Sequence, residues 1–79
     1  MMHRTPLDSS SLASAAFDTA TGLLELEFRS GALYQYYSVP VSLYRDLLVA
    51  DSKGRFFNRF IRDCFPTTLI APAAVPKTI

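Results

Sequence analysis

Leu24-Glu25-Leu26-Glu27-Phe28-Arg29-Ser30-Gly31-Ala32-Leu33-Tyr34-Gln35-Tyr36-Tyr37 is the stretch that decides the fold. Leu24 to Arg29 alternates apolar and polar side chains, the pattern of a half-buried strand. Leu33 to Tyr37 is rich in tyrosine, which favours a second strand. The turn between them sets the register. A two-residue Ser30-Gly31 loop puts Glu27 opposite Tyr34. A three-residue loop, Arg29-Ser30-Gly31, puts Leu26 opposite Tyr34 and Leu24 opposite Tyr36. Gly31 suits the left-handed position that closes a three-residue loop with a bulge. That register gathers Leu24, Leu26, Phe28, Tyr34 and Tyr36 on one face. A slip of one residue would turn every side chain of one strand to the other face. The three-residue loop is the expectation.

Upstream, residues 1–8 read as a mobile N-terminal arm. Ser9-Ser10-Ser11 leads into a strand over Leu12 to Phe17, and Asp18-Thr19-Ala20-Thr21-Gly22 is turn chemistry. Downstream, Pro40 suits the first turn of a helix, where its missing N–H costs little. Leu43, Tyr44, Leu47 and Leu48 recur at helical spacing, with Arg45 and Asp46 opposite. Ser52 can cap a second helix. Its apolar stripe is Phe56, Phe57, Phe60 and Ile61, and Arg55, Asn58, Arg59 and Arg62 fall on the other side. Gly54 at this junction allows close approach of a neighbour. Pro66 ends the regular region, and residues 66–79 read as an extended or disordered tail. The expected fold is α+β: a three-stranded antiparallel meander followed by two helices packed on one face, in the order β-β-β-α-α. The domain proper is expected to span residues 9–65.

Composition limits the function. The chain has 79 residues, one small domain's worth. Its single cysteine, Cys64, excludes an intramolecular disulfide and fits a reducing cytoplasm. His3 and Cys64 are its only imidazole and thiol, so a zinc site is not expected. The net charge of +1 is not the footprint of a strong nucleic-acid binder. No stretch approaches the length of a transmembrane span, and Met1 to Pro6 lacks the apolar run of a signal peptide. The expectation is a soluble cytoplasmic protein with no membrane partner and no cofactor.

The ordered set of these residues resembles the KTSC domain, a family named for its occurrence at the C-terminus of some lysyl-tRNA synthetases and also found as a small bacterial protein. The resemblance runs from Leu7 to Phe65. It rests on Ser9-Ser10, Leu12, Phe17-Asp18, Leu24-x-Leu26-x-Phe28-x-x-Gly31-x-x-Tyr34-x-Tyr36 and Val39-Pro40. It continues through Tyr44, Leu47, Ser52-Lys53-Gly54, Phe57-Asn58 and Ile61. Tyr34-x-Tyr36 is the family's hallmark. Phe17 and Phe56 stand where the family resemblance leads one to expect tyrosine, so no hydroxyl role carries over to them. The resemblance brings no established activity with it. The link to a tRNA synthetase suggests RNA binding, by architecture alone.

The residues themselves offer little for catalysis. Cys64 and the serines at 9–11 have no histidine in the folded region to act as base. Glu25 and Glu27 share a strand face, the weakest of the alternatives for an active site. Tyr34 and Tyr36 turn inward in the preferred register and are expected to be core, with hydroxyls at the rim. Tyr37 points the other way and is the better contact residue. Lys53, Arg55, Arg59 and Arg62 form a basic stripe suited to phosphate, against the plainer reading of a solvated helix face. Tyr34, Tyr36, Pro40, Ser52, Gly54, Phe57 and Asn58 are read as mainly structural, with Ser52 and Asn58 also able to line a small polar site. The leading expectation is a non-enzymatic module that binds tRNA-like or structured RNA through Lys53, Arg55, Arg59, Arg62 and Tyr37. The alternative is a protein-interaction or homodimerisation module using Glu25, Glu27, Leu33, Gln35 and Tyr37 on the outer sheet face.

Overall fold

The structure, a computed structural model, describes residues 3–73. It corrects the expected three-stranded meander. Five antiparallel strands form one sheet in sequence order: β1 (His3–Pro6), β2 (Leu12–Asp18), β3 (Leu23–Phe28), β4 (Leu33–Tyr36) and β5 (Thr67–Ala71). Between β4 and β5 lie α1 (Val41–Val49) and the short α2 (Lys53–Phe56), which widens into a π-helical turn over Phe57–Ile61.

The two added strands come from the expected arm and tail. Leu7 is buried, and its N–H donates to the Ala13 carbonyl at 2.9 Å, which holds β1 alongside β2. At the other end the Tyr37 N–H donates to the Pro66 carbonyl at 3.0 Å, returning the chain beside β4. Residues 1–2 of the expected arm and 74–79 of the expected tail lie outside the described residues.

In the central hairpin Leu24 faces Tyr36 and Leu26 faces Tyr34. The Phe28 N–H donates to the Ala32 carbonyl at 2.8 Å, and Gly31 takes a φ of 95°. This is the three-residue loop with its glycine in the left-handed position. The inner face so defined supplies Leu24 and Leu26, both fully buried, to the core. Leu12, Val39, Leu47, Phe57 and Ile61 complete it from the flanking elements.

Helix α1 follows Pro40, whose carbonyl accepts from the Leu43 N–H at 3.0 Å. Leu47 is its fully buried residue, with Leu43, Tyr44 and Leu48 packed at the core's margin. The Tyr44 ring stacks on Phe17 at 4.8 Å. Ser52 caps α2 by accepting from the Arg55 N–H at 3.3 Å. The π turn is closed by the Arg62 N–H on the Phe57 carbonyl at 2.8 Å. Its extra residue per turn alters the expected apolar stripe. Phe57 and Ile61 stay buried, whereas Phe60 turns out to solvent beside Phe56, their rings 4.8 Å apart.

Candidate functional site

Three grooves lie around α2, neighbouring ones sharing wall residues. The first, about 420 Å³, lies between the inner sheet face and the π turn. Its apolar lining comes from Leu12, Phe28 and Phe57, and its polar lining from Tyr34, Tyr36, Ser11, Asn58, Arg62, Asp63 and Thr67. The second, about 520 Å³, is walled by Asp8 to Ser11 and by Asp51 to Arg55. Ser11, Gly54 and Asn58 belong to both. A third, about 230 Å³, continues past Ser52 and Arg55 to Arg59 and the rings of Phe56 and Phe60.

Local structure explains how the first groove is built. Phe57 sits edge-on to both Phe28 and Tyr36, at 5.2 and 5.8 Å between ring centroids. Phe28 is also edge-on to Tyr34, at 5.7 Å. Edge-to-face contacts of this kind fix ring orientation as well as burying area. The wider π turn sets Arg62 above Phe57, one turn on, and so beside the tyrosines. In an unbroken α-helix it would stand with Arg55 and Arg59. Asp63 follows in a left-handed conformation, φ 61°, and its carboxylate lies 4.0 Å from the Arg62 guanidinium. Burial, reinforced by the neighbouring Tyr34, pushes the Tyr36 phenol up to about 12; Arg62 opposes this and Asp63 adds to it. At neutral pH Tyr36 is therefore an uncharged group able to donate and accept.

The expected basic stripe is thus divided. Arg62 lines the first groove, Lys53 the second, Arg55 the second and third, and Arg59 the third. Lys53 Nζ donates to the Ala50 carbonyl at 3.1 Å, and the Arg59 guanidinium lies over the Phe60 ring at 5.5 Å. Tyr37 is set apart from the grooves on the outer sheet face, its hydroxyl donating to Gln35 at 3.3 Å. There Gln35 donates to Glu25 at 3.0 Å and Arg4 forms an ion pair with Glu25. Glu27 accepts from Ser14 at 2.9 Å, and Ser14 accepts from Arg4 at 2.8 Å. Both carboxylates are engaged in this lattice. Leu33, half-buried, stands beside it opposite Glu27.

Of the residues read as structural, Tyr34, Tyr36, Gly54, Phe57 and Asn58 all line the first groove. Pro40 and Ser52 precede α1 and α2. Sequence reading missed Ser11, Asp63 and Thr67 as lining residues. Only Gly54 signalled one of them, since its need for space identifies a close neighbour, Ser11. Among the described residues no group of three or more His, Cys, Asp or Glu side chains could hold a metal ion. No helix there is long and apolar enough to cross a membrane.

The sequence profile of the KTSC domain matches residues 8–65. The chain belongs to the KTSC domain family. A KTSC domain protein of Yersinia pestis, known from a crystal structure, is 37% identical. Its superposition has a TM-score of 0.87 and covers 90% of this chain and 100% of that one. An uncharacterized protein of Stutzerimonas stutzeri is 49% identical over 61 residues, 77% of this chain and 86% of its own length. A lysine–tRNA ligase of Nostoc punctiforme is 40% identical over 58 residues, which cover 73% of this chain and 10% of the ligase. The KTSC domain is thus a unit similar both to small proteins and to a minor part of a much larger one.

Proposed function

We propose that this KTSC domain is a non-enzymatic module that binds RNA along the three neighbouring grooves around α2. The observation that carries this reading is that neighbouring grooves share walls, which sets Arg62, Lys53, Arg55 and Arg59 near the rings of Tyr34, Phe56 and Phe60 around α2. Cations for the backbone and rings for the bases are what single-stranded RNA requires. The similarity to part of a lysine–tRNA ligase supports the same reading. Asp8, Asp51 and Asp63 also line these grooves, so their charge is nearly balanced and the affinity is modest.

The test is a titration with tRNA and with an unstructured RNA at low and high salt. Four phosphate contacts give a slope of log affinity on log salt no steeper than about −3. Replacing Arg55, Arg59 and Arg62 by glutamate removes binding while the circular dichroism spectrum is kept. No binding at low salt would sink the reading.

Self-association is a second reading, favoured by β5 rather than by the hydrogen-bonded outer face. This strand, at the edge of the sheet among the described residues, leaves Leu69 50% and Ile70 47% exposed. Light scattering on the wild type and on Ile70→Lys separates the cases: a dimer lost in the variant supports it, and a monomeric wild type rejects it.

A further inference from the structure

Tyr36 is 4% exposed and still lines the first groove. Tyr37 is the one tyrosine whose hydroxyl bonds another described residue. No buried side-chain oxygen or nitrogen among the described residues lacks a partner. Tyr36 lines the first groove together with Tyr34. A deeply buried side chain at the wall of a cleft is held in place, and the Tyr36 phenol is the group it can offer a ligand there. Ser11, Thr67 and Asn58 add further groups that both donate and accept.

The ligand chemistry follows from this set. The walls are aromatic and suit a flat ring system. The groups around them are mostly uncharged and suit a neutral ring bearing donors and acceptors along its edge. An aliphatic ligand would leave the hydroxyls and the amide unpaired. Arg62 offers an anion its guanidinium, opposed by the Asp63 carboxylate 4.0 Å away in the same groove, so the phosphate contact is weak and the base contacts carry the binding. A volume of about 420 Å³ lies at the small end of ligand clefts and suits a nucleotide, not a duplex. On the other side of the Ser11–Gly54 contact the second groove presents Lys53 and Arg55, where following phosphates would lie.

We propose that the first groove holds one unpaired nucleotide of the bound RNA: its base lies against the half-buried rings of Phe28 and Tyr34, its edge meets Tyr36 and Asn58, and its phosphate meets Arg62. This rests on the RNA reading above and adds to it a base-binding position. Tyr37, outside the groove, has no part in it.

The test uses isotope-labelled protein and nuclear magnetic resonance. The probes are the four ribonucleoside 5′-monophosphates, ribose 5-phosphate and a short unstructured RNA. Saturable shifts are expected at Tyr34, Tyr36, Asn58 and Arg62, with ribose 5-phosphate binding at least about tenfold more weakly than the best nucleotide. Tyr36→Phe keeps the ring, and Asn58 is exposed, so Tyr36→Phe and Asn58→Ala are expected to keep the fold. Each weakens nucleotide binding about three- to tenfold and leaves ribose 5-phosphate unchanged. Equal affinity for ribose 5-phosphate and nucleotides overturns the proposal, as does the absence of shifts at these residues with every probe. RNA bound with a normal salt dependence but unaffected by either variant overturns the base position and leaves the RNA reading intact. RNA that fails to bind at low salt removes both.

Discussion

A Cβ built on Gly54 would stand 2.6 Å from Ser11 Oγ. The first turn of α2 therefore rests directly on the segment that enters β2, and this contact forms the seam between the first and second grooves. In a free helix alanine is preferred to glycine by about 1 kcal/mol. Here that gain is offset by displacement of the serine hydroxyl. Gly54→Ala is expected to bring no stability to the wild type, and a gain of about 0.5–1 kcal/mol in a Ser11→Ala background. A double-mutant cycle by urea denaturation measures the difference. Equal effects in the two backgrounds would show that the contact carries no energy.

Tyr36 predicts a response to alkaline pH. Its phenol titrates near 10.0 when unfolded and about 12 when folded. Between these values the folded state holds the proton that the unfolded state has lost. The contribution is thus complete below pH 10 and is lost as pH rises toward 12. Tyr36→Phe lacks this linkage. Its melting temperature is expected to fall less than that of the wild type between pH 10 and 12. Parallel declines would remove the burial of this hydroxyl as their cause.

Arg4 and Glu25 meet across Ala16. The register sets Arg4 of β1 and Glu25 of β3 on either side of Ala16 in β2, which is left 1% exposed beneath the ion pair. The pair is partly solvated, so its direct value is small, about 0.5–1 kcal/mol. Its local effect is larger, because β1 is a short edge strand with few buried side chains. Arg4→Ala is expected to speed exchange of the amides that β1 pairs in β2 while barely changing the global unfolding midpoint. Unchanged protection at Ala15 and Phe17 would mean that β1 is held by Leu7 alone.

The pattern of legibility follows the range of the interactions. The β3–β4 register could be read because a glycine-closed turn and alternating leucines specify it locally. Leu47 and the Ser52 cap were readable for the same reason. β1 and β5 were not. Both are short and largely exposed, and both carry or follow a proline, so neither shows apolar alternation. They are strands because β2 and β4 offer them unpaired edges. The π turn was invisible as well, since Phe56, Phe57, Phe60 and Ile61 fit an ordinary helical stripe. That one irregularity moves Arg62 from the basic stripe to the tyrosine groove. The groove itself combines Ser11, Asn58 and Thr67, which no local pattern relates.

The end of the sheet beside α1 holds two left-handed residues whose exchange has opposite signs. Gly22 has a φ of 73°, and a Cβ there would lie 3.1 Å from the Val39 carbonyl oxygen and 3.3 Å from its nitrogen. That nitrogen donates to the Gly22 carbonyl at 2.9 Å, so the two strands of backbone cannot part without losing a bond. Gly22→Ala combines the conformational cost of about 1–2 kcal/mol with a contact against backbone that has nowhere to yield. A loss of at least about 2 kcal/mol is expected. Ser38, with a φ of 62°, already bears that conformational cost and is exposed. Ser38→Gly relieves it and gives back part of the gain through a freer unfolded chain, leaving about 0.5 kcal/mol of stabilisation. Urea denaturation of the two variants checks both signs at once. A stabilising Gly22→Ala would show that the Gly22–Val39 contact can yield, and a destabilising Ser38→Gly would show that Ser38 bears no conformational cost.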